Sequence, residues 1–252
     1  MTLFKIKTNL TLLNKICLAG LFIALVTILQ KVTAVNYLPA LPFVRVSFGG
    51  PAMIIFSSIL LGPLFGALVG AGSDLLGYLI FDIKAYPLFP QVTAIYALLG
   101  FLAYFVFIAV KAIKNKPLIF TIETLLFAAF FGGVTFYLLS NETLALWIKI
   151  VAPVSLGILF ITLIVFLLIY NKKGSVPLGY NVFQISSCSF ILDAVVLLAF
   201  GSLMKSLAFG VDYIVVAVCQ TIVMFFNVTI TTILLSILLK VCKKYFVYDN
   251  IE

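Results

Sequence analysis

Apolar runs of about twenty residues recur along this chain, separated by short polar segments. A run of that length crosses the hydrocarbon core of a bilayer as an α-helix, whereas strands of a membrane barrel need about ten residues of alternating polarity. Composition agrees, because 64% of the 252 residues are hydrophobic and only 10% are charged. A soluble domain has about a quarter of its residues charged. The sequence therefore predicts an all-α integral membrane protein, a helical bundle forming one polytopic domain (1–252).

The apolar pattern predicts about eight transmembrane helices. They lie at about 15–37, 49–61, 63–82, 91–112, 118–139, 146–170, 182–203 and 211–240. The second is short for a bilayer, so it either tilts or merges with the third around Gly62-Pro63.

The formal net charge of +8 suggests nucleic-acid binding only if the basic residues share one surface. With a cytoplasmic N-terminus, the predicted inner segments hold Lys5, Lys7, Lys15, Lys111, Lys114, Lys116, Lys172, Lys173, Lys240, Lys243 and Lys244. The predicted outer segments hold Arg45, Lys84 and Lys205. This asymmetry is typical of a multi-pass protein of the cell membrane with both termini in the cytoplasm, and it argues against a nucleic-acid partner.

The N-terminal region has a second interpretation as a cleaved signal peptide, because lysines precede an apolar run and the small residues of 32–34 follow it. Lys31 and the odd number of spans left after cleavage argue against this. The four cysteines, Cys17, Cys188, Cys219 and Cys242, include no CxxC pair and are expected to be reduced thiols. Because the chain has no histidine, histidine metal ligands, serine-histidine triads and histidine proton relays are excluded. We also expect no cofactor, no metal site and no enzyme activity.

One predicted span carries an aspartate among glycines, GPLFGALVGAGSDLLGY at 62–78. Gly62, Gly66, Gly70, Asp74 and Tyr78 are four residues apart, so on a helix they form one ridge. The glycines allow close approach of another helix. A carboxylate in hydrocarbon costs several kcal/mol, about 2.5 to 3.5 on insertion scales, so Asp74 is expected either to meet a ligand or to bond a neighbouring helix as a structural contact.

Two predicted outer loops adjoin the outer end of this helix, PFVRVSFGGP at 42–51 and KAYPLFPQVTA at 84–94. The guanidinium of Arg45 suits a carboxylate, and Asp74 suits the N–H edge of a heterocycle. Phe48, Tyr86 and Phe89 either stack on a flat ring or belong to the aromatic belt of the membrane interface. Together these residues predict a pocket for an aromatic, anionic small molecule.

Several of these motifs resemble the substrate-binding S component of energy-coupling-factor vitamin transporters, most closely the folate-specific branch. The resemblance covers about residues 15–112 and rests on AGLFIAL at 19–25, Arg45-Val-Ser-Phe48, Gly62-Pro63, Ser73-Asp-Leu-Leu-Gly-Tyr78 and Phe89-Pro-Gln-Val-Thr93 followed by Gly100.

The resemblance implies a membrane receptor that binds folate outside the cell and delivers it through one transmembrane coupling subunit and two cytoplasmic ATPases. The implied substrate-binding residues are Arg45, Ser47, Phe48, Asp74, Tyr78, Tyr86, Phe89, Pro90 and Thr93. Gly20 and Ala24 would contact the coupling subunit. The chain has no GxxxxGK[ST] loop of its own, which agrees with ATPase activity supplied by partners.

The sequence departs from this family in three respects. Members have about six spans, so the core is expected at about 15–112 and 180–244, with an inserted helical hairpin at about 117–172 that carries Trp147. Gln91 stands where the family has a glycine after Phe-Pro. Beyond residue 180 the match is weak.

Two further acidic residues lie in predicted spans. Asp193 either shares a cavity with Asp74, bonds another helix, or lies opposite Lys149 or Lys205. Glu123 is interpreted as an interfacial residue near the inner lysines.

Other functions also fit parts of the sequence. An S component for another vitamin and a secondary transporter working alone are alternatives, although no internal repeat of the kind many transporters have is evident. An intramembrane aspartyl protease would use Asp74 and Asp193 as its dyad, but the residues before Asp74 miss the Gly-x-Gly-Asp spacing by one.

Overall fold

The fold is a bundle of helices, described by a computed structural model over residues 10–34, 47–82, 87–113, 115–140, 146–172 and 180–242. In these ranges, seven helices are long and apolar enough to cross a membrane. They are Leu12–Lys31, Pro63–Asp82, Pro90–Lys111, Leu118–Ser140, Lys149–Ile169, Val182–Phe209 and Tyr213–Val241. The prediction of an all-α membrane bundle is confirmed.

The helices follow one another closely along the chain. They are α1 (Leu12–Lys31), α2 (Gly50–Leu61), α3 (Pro63–Gly77), α4 (Pro90–Lys111), α5 (Lys116–Ser140), α6 (Leu146–Lys172), α7 (Val182–Leu192), α8 (Gly201–Phe209) and α9 (Tyr213–Val241). A wider, π-helical turn at Tyr78–Asp82 extends α3, and a π-helical stretch at Asp193–Phe200 joins α7 to α8 without a loop.

The expected second span is the short helix α2. Its twelve residues rise about 18 Å, which is less than the roughly 30 Å of a hydrocarbon core, so α2 does not cross the membrane by itself. All of its residues are buried, which shows that its apolar character serves packing inside the bundle. Gly62 ends α2 with a φ of 102°, a conformation that favours glycine, and Pro63 begins α3 directly after it.

The glycines of the ridge bring α3 and α4 into backbone contact, as the spacing predicts. A methyl group on Gly70 would overlap the carbonyl oxygen of Tyr96, and one on Gly100 would overlap the carbonyl oxygen of Gly66. On another side of Gly66 lies Ser58 of α2. Because only glycine permits such contacts, the relative position of α3 and α4 is set by these three positions.

The expected hairpin, α5 and α6, packs closely against the rest of the bundle. The ring of Phe127 lies 4.6 Å from that of Phe190 on α7 and 4.9 Å from that of Phe225 on α9, measured between centroids. Phe160 of α6 joins the same aromatic cluster. Aromatic pairs at these distances stabilise the contact beyond the burial of their area.

Glu123 fastens the same hairpin by hydrogen bonds, so its interpretation as an interfacial residue is wrong. Its side chain is only 4% exposed, and its carboxylate accepts hydrogen bonds from the hydroxyl groups of both Ser186 and Ser187. The Ser187 bond measures 2.7 Å. Burial of a carboxylate requires such partners, and here they come from α7.

Contacts at the start of α7 also fix this helix against α4. The hydroxyl of Tyr180 donates to the carbonyl oxygen of Phe107 at 3.0 Å, and the two rings stack with centroids 4.0 Å apart. The amide of Gln184 donates to the carbonyl oxygens of Val110 and Ile113 at the end of α4. These bonds set the start of the long α7–α8 helix, whose other end reaches the cavity described next.

Candidate ligand-binding cavity

A cavity of about 110 Å³ lies where α1 ends, α3 ends, α4 begins and α8 ends. It is lined by Gln30, Lys31, Ser47, Asp74, Tyr78, Asp82, Pro87, Leu88, Phe89, Val92, Tyr96, Lys205 and Phe209. The cavity therefore combines apolar and aromatic walls with a few charged side chains, which is the usual composition of a small-molecule site.

Asp74 lies in the wall of this cavity and is held by α4. One of its carboxylate oxygens, Oδ2, accepts a hydrogen bond of 2.6 Å from the hydroxyl of Thr93. The close α3–α4 contact at Gly70 makes this bond possible, because it brings the start of α4 alongside Asp74. An ionised carboxylate can accept about four hydrogen bonds, so Asp74 keeps capacity for donors inside the cavity.

Lys31 and Asp82 form an ion pair at the edge of the cavity. The Lys31 Nζ lies 2.6 Å from the Asp82 Oδ2, and the side chains are only 13% and 10% exposed. The pair joins the end of α1 to the π-helical turn after α3. Within the described residues, no group of three or more histidine, cysteine, aspartate and glutamate side chains is placed to hold a metal ion.

Aromatic side chains form much of the remaining wall. Tyr78, Phe89, Tyr96 and Phe209 all line the cavity. The rings of Phe89 and Phe209 lie in contact, with centroids 4.5 Å apart and planes tilted by 49°. This contact joins the start of α4 to the end of α8 in the wall of the cavity.

Five of the residues predicted from the sequence as substrate-binding gather here. Ser47, Asp74, Tyr78 and Phe89 line the cavity. Thr93 does not line it but donates a hydrogen bond to Asp74. Their role in binding stays a prediction.

The other predicted residues lie elsewhere. The ring of Phe48 packs edge-on against Phe226 of α9, and Phe48 is 44% exposed. Pro90 is the first residue of α4, where its missing N–H costs nothing. Neither residue lines the cavity. Arg45 and Tyr86 lie outside the described residues.

Nine residues of the wall were not predicted from the sequence, namely Gln30, Lys31, Asp82, Pro87, Leu88, Val92, Tyr96, Lys205 and Phe209. For one of them, the sequence contains a pattern that could have identified it. Asp82 continues the four-residue spacing of the ridge by one step beyond Tyr78. The others lie in loops, on α1, on α4 or on α8, and the spacing within any one of these elements does not show which residues meet at the cavity.

Asp193 does not line this cavity. It is 1% exposed, and within the described part of the chain neither carboxylate oxygen has a hydrogen-bond partner. Lys205 lies twelve residues further along the same helix, about 18 Å away by helical rise, and shares the cavity with Asp74 instead. The two aspartates therefore do not form a dyad in this cavity.

Gly20 and Ala24 lie on an exposed side of α1. A methyl group placed on Gly20 would meet no atom within 4 Å among the described residues. This side of α1 is therefore free to be approached, although its partner stays a prediction.

The chain is similar to a protein of Clostridium novyi (strain NT) named folate transporter FolT, with 30% identity over 124 residues. The similar region covers 49% of this chain and 64% of the length of that relative. No family model matches the chain, and no solved structure matches it. The chain is therefore a multi-pass helical membrane protein that is similar, over about half of its length and less than two thirds of the relative's length, to a folate transporter.

Proposed function

We propose that this protein is the substrate-binding component of a vitamin importer and that its substrate is folate. The observation that supports this most is the cavity beside Asp74, whose carboxylate accepts a hydrogen bond from Thr93 and whose wall includes four aromatic side chains. The similarity to a folate transporter directs the choice among vitamins.

The chemistry of folate fits these walls. Its pterin ring carries an amino group and a ring N–H on one edge, and a carboxylate accepts hydrogen bonds from both. Tyr78 and Tyr96 offer aromatic surface to a flat ring. The cavity is smaller than the roughly 300 to 1,000 Å³ that holds a whole drug-sized ligand, so it takes the pterin ring while the rest of folate extends outward. Arg45 is the proposed partner of the glutamate carboxylates.

We also propose that import follows the energy-coupling-factor scheme, with both termini in the cytoplasm. Closing of the segments at about 36–50 and 82–92 over the ligand would precede reorientation against a transmembrane coupling subunit. Two ATPase subunits would supply the energy, since the chain has no phosphate-binding loop of its own. The free side of α1 at Gly20 and Ala24 is the proposed contact with the coupling subunit.

Equilibrium binding by the purified chain, in detergent and without ATP, tests the proposal. Folic acid and 5-formyltetrahydrofolate would be compared with riboflavin, thiamine, biotin and pantothenate. Tight binding of folates alone is the expected result. Tight binding of another vitamin would agree with a receptor role but contradict the assignment of folate as the substrate. Uptake by the chain alone under an ion gradient, without partner subunits, would indicate a secondary transporter instead.

A further inference from the structure

The charged side chains in the cavity wall differ in whether they have a hydrogen-bond or ion-pair partner. Lys31 and Asp82 are paired with each other at 2.6 Å, and Asp74 holds the hydroxyl of Thr93. Lys205 is the remaining charged side chain in the wall. Within the described part of the chain, its ammonium group has neither a hydrogen bond nor an ion pair, and Asp74 in the same wall is an opposite charge that interacts with it.

The position of Lys205 follows from the fold. It lies on α8, four residues before Phe209, whose ring packs against Phe89 at the start of α4. This contact anchors the end of α8 beside the cavity. The Lys205 side chain is partly buried, and its ammonium group carries three donors that a ligand can satisfy.

The small size of the cavity decides what Lys205 can bind. Asp74 and Lys205 line the same space of about 110 Å³, which is the size of one ring system and not of an elongated molecule. Asp74 accepts hydrogen bonds from N–H groups, whereas Lys205 only donates. The pair therefore suits a heterocycle in which N–H donors adjoin a carbonyl or ring-nitrogen acceptor.

We propose that Lys205 is a specificity-determining residue that donates a hydrogen bond to the 4-oxo group of the pterin ring while Asp74 accepts from its 2-amino edge. This inference rests on the proposed function and deepens it. The site then selects 4-oxopteridines and disfavours 4-aminopteridines, because a 4-amino group would place its own donors against the ammonium. Specificity of this kind arises when a wrong ligand leaves a buried polar group unpaired.

Folic acid and aminopterin test the inference, because aminopterin has a 4-amino group in place of the 4-oxo group and so also lacks the ring N–H next to it, and the Lys205 variants separate the two differences. Their dissociation constants would be measured for the wild-type protein and for Lys205→Met, Lys205→Arg and Lys15→Met. Lys15 lies on α1 sixteen residues before Lys31, about 24 Å from the cavity by helical rise, and serves as the matched control.

We expect the wild-type protein to bind folic acid at least about ten-fold more tightly than aminopterin, the effect of one hydrogen bond to a charged group. Lys205→Met should lower the affinity for folic acid about ten-fold and change the affinity for aminopterin by no more than about two-fold. Lys205→Arg keeps a cationic donor and should retain preference for folic acid. Lys15→Met should bind both ligands as the wild type does.

Two results would overturn the inference while folate binding stands. One is equal affinity of the wild-type protein for the two ligands, which requires no variant and so does not depend on how Lys205→Met folds. The other is an equal loss of affinity for both ligands in Lys205→Met. That result would mean that Lys205 contacts the glutamate tail or serves only as the counter-charge of Asp74. Absence of binding of both ligands by the wild-type protein would instead overturn the proposed function, and this inference with it.

Discussion

Replacing Gly70 by alanine tests whether the α3–α4 contact builds the cavity. The added methyl group would overlap the carbonyl oxygen of Tyr96 and lie 3.2 Å from the amide nitrogen of Ala97. Both are main-chain atoms of α4, so no change of rotamer relieves the overlap, and the helices must separate. Overpacking of this kind costs about 1 to 3 kcal/mol. A cost of about 2 kcal/mol lowers Tm by roughly 4 to 8 °C in a chain of this size.

The same substitution should weaken ligand binding. A separation of about 1 Å would lengthen the Thr93–Asp74 hydrogen bond from 2.6 Å to about 3.6 Å, which is too long to hold the carboxylate in place. Gly133→Ala is the matched control, because a methyl group there meets no atom within 4 Å among the described residues. Thermal unfolding in detergent and folate binding would be measured for both variants. Equal Tm and equal affinity in Gly70→Ala and Gly133→Ala would refute the packing argument.

Two further predictions separate stability and coupling from binding. Glu123→Ala leaves the hydroxyls of Ser186 and Ser187 unpaired, which costs about 1 to 3 kcal/mol of stability. Tm should therefore fall while folate affinity is unchanged. A weaker affinity with an unchanged Tm would contradict the structural role of Glu123. Gly20→Leu should keep folate affinity but lose co-purification with the proposed coupling subunit, because a bulky side chain blocks close helix approach. Unchanged co-purification would remove this side of α1 from the interface.

Local periodicity predicted the part of the site that lies on one helix and its close neighbour. The four-residue spacing of small residues indicated that α3 would meet another backbone, and Gly70 does so at Tyr96. That contact is also why Thr93 reaches Asp74, two residues that the sequence predicted separately. Apolar runs likewise predicted the long helices, since their length is set by the bilayer.

The remaining features of the fold and of the cavity depend on contacts between residues far apart in the sequence, which local patterns do not predict. Lys31 and Asp82 are 51 positions apart, and their ion pair exists only because α1 packs on α3. Glu123 resembled an interfacial residue because its partners lie more than sixty positions away on α7. The apolar composition of α2 is the same for a buried helix as for a span, and only its twelve residues distinguish the two.

Folic acid affinity of the wild-type protein, Asp74→Asn and Asp193→Asn tests the central claim most directly. Both aspartates are buried, but only Asp74 lines the cavity, so the two variants make the same chemical change at different places. We expect Asp74→Asn to weaken folic acid by about ten-fold or more, since one hydrogen bond to a charged group is lost, and Asp193→Asn to leave affinity unchanged. Equal affinity of Asp74→Asn and the wild-type protein would make Asp74 a structural contact between helices and would contradict the proposed site.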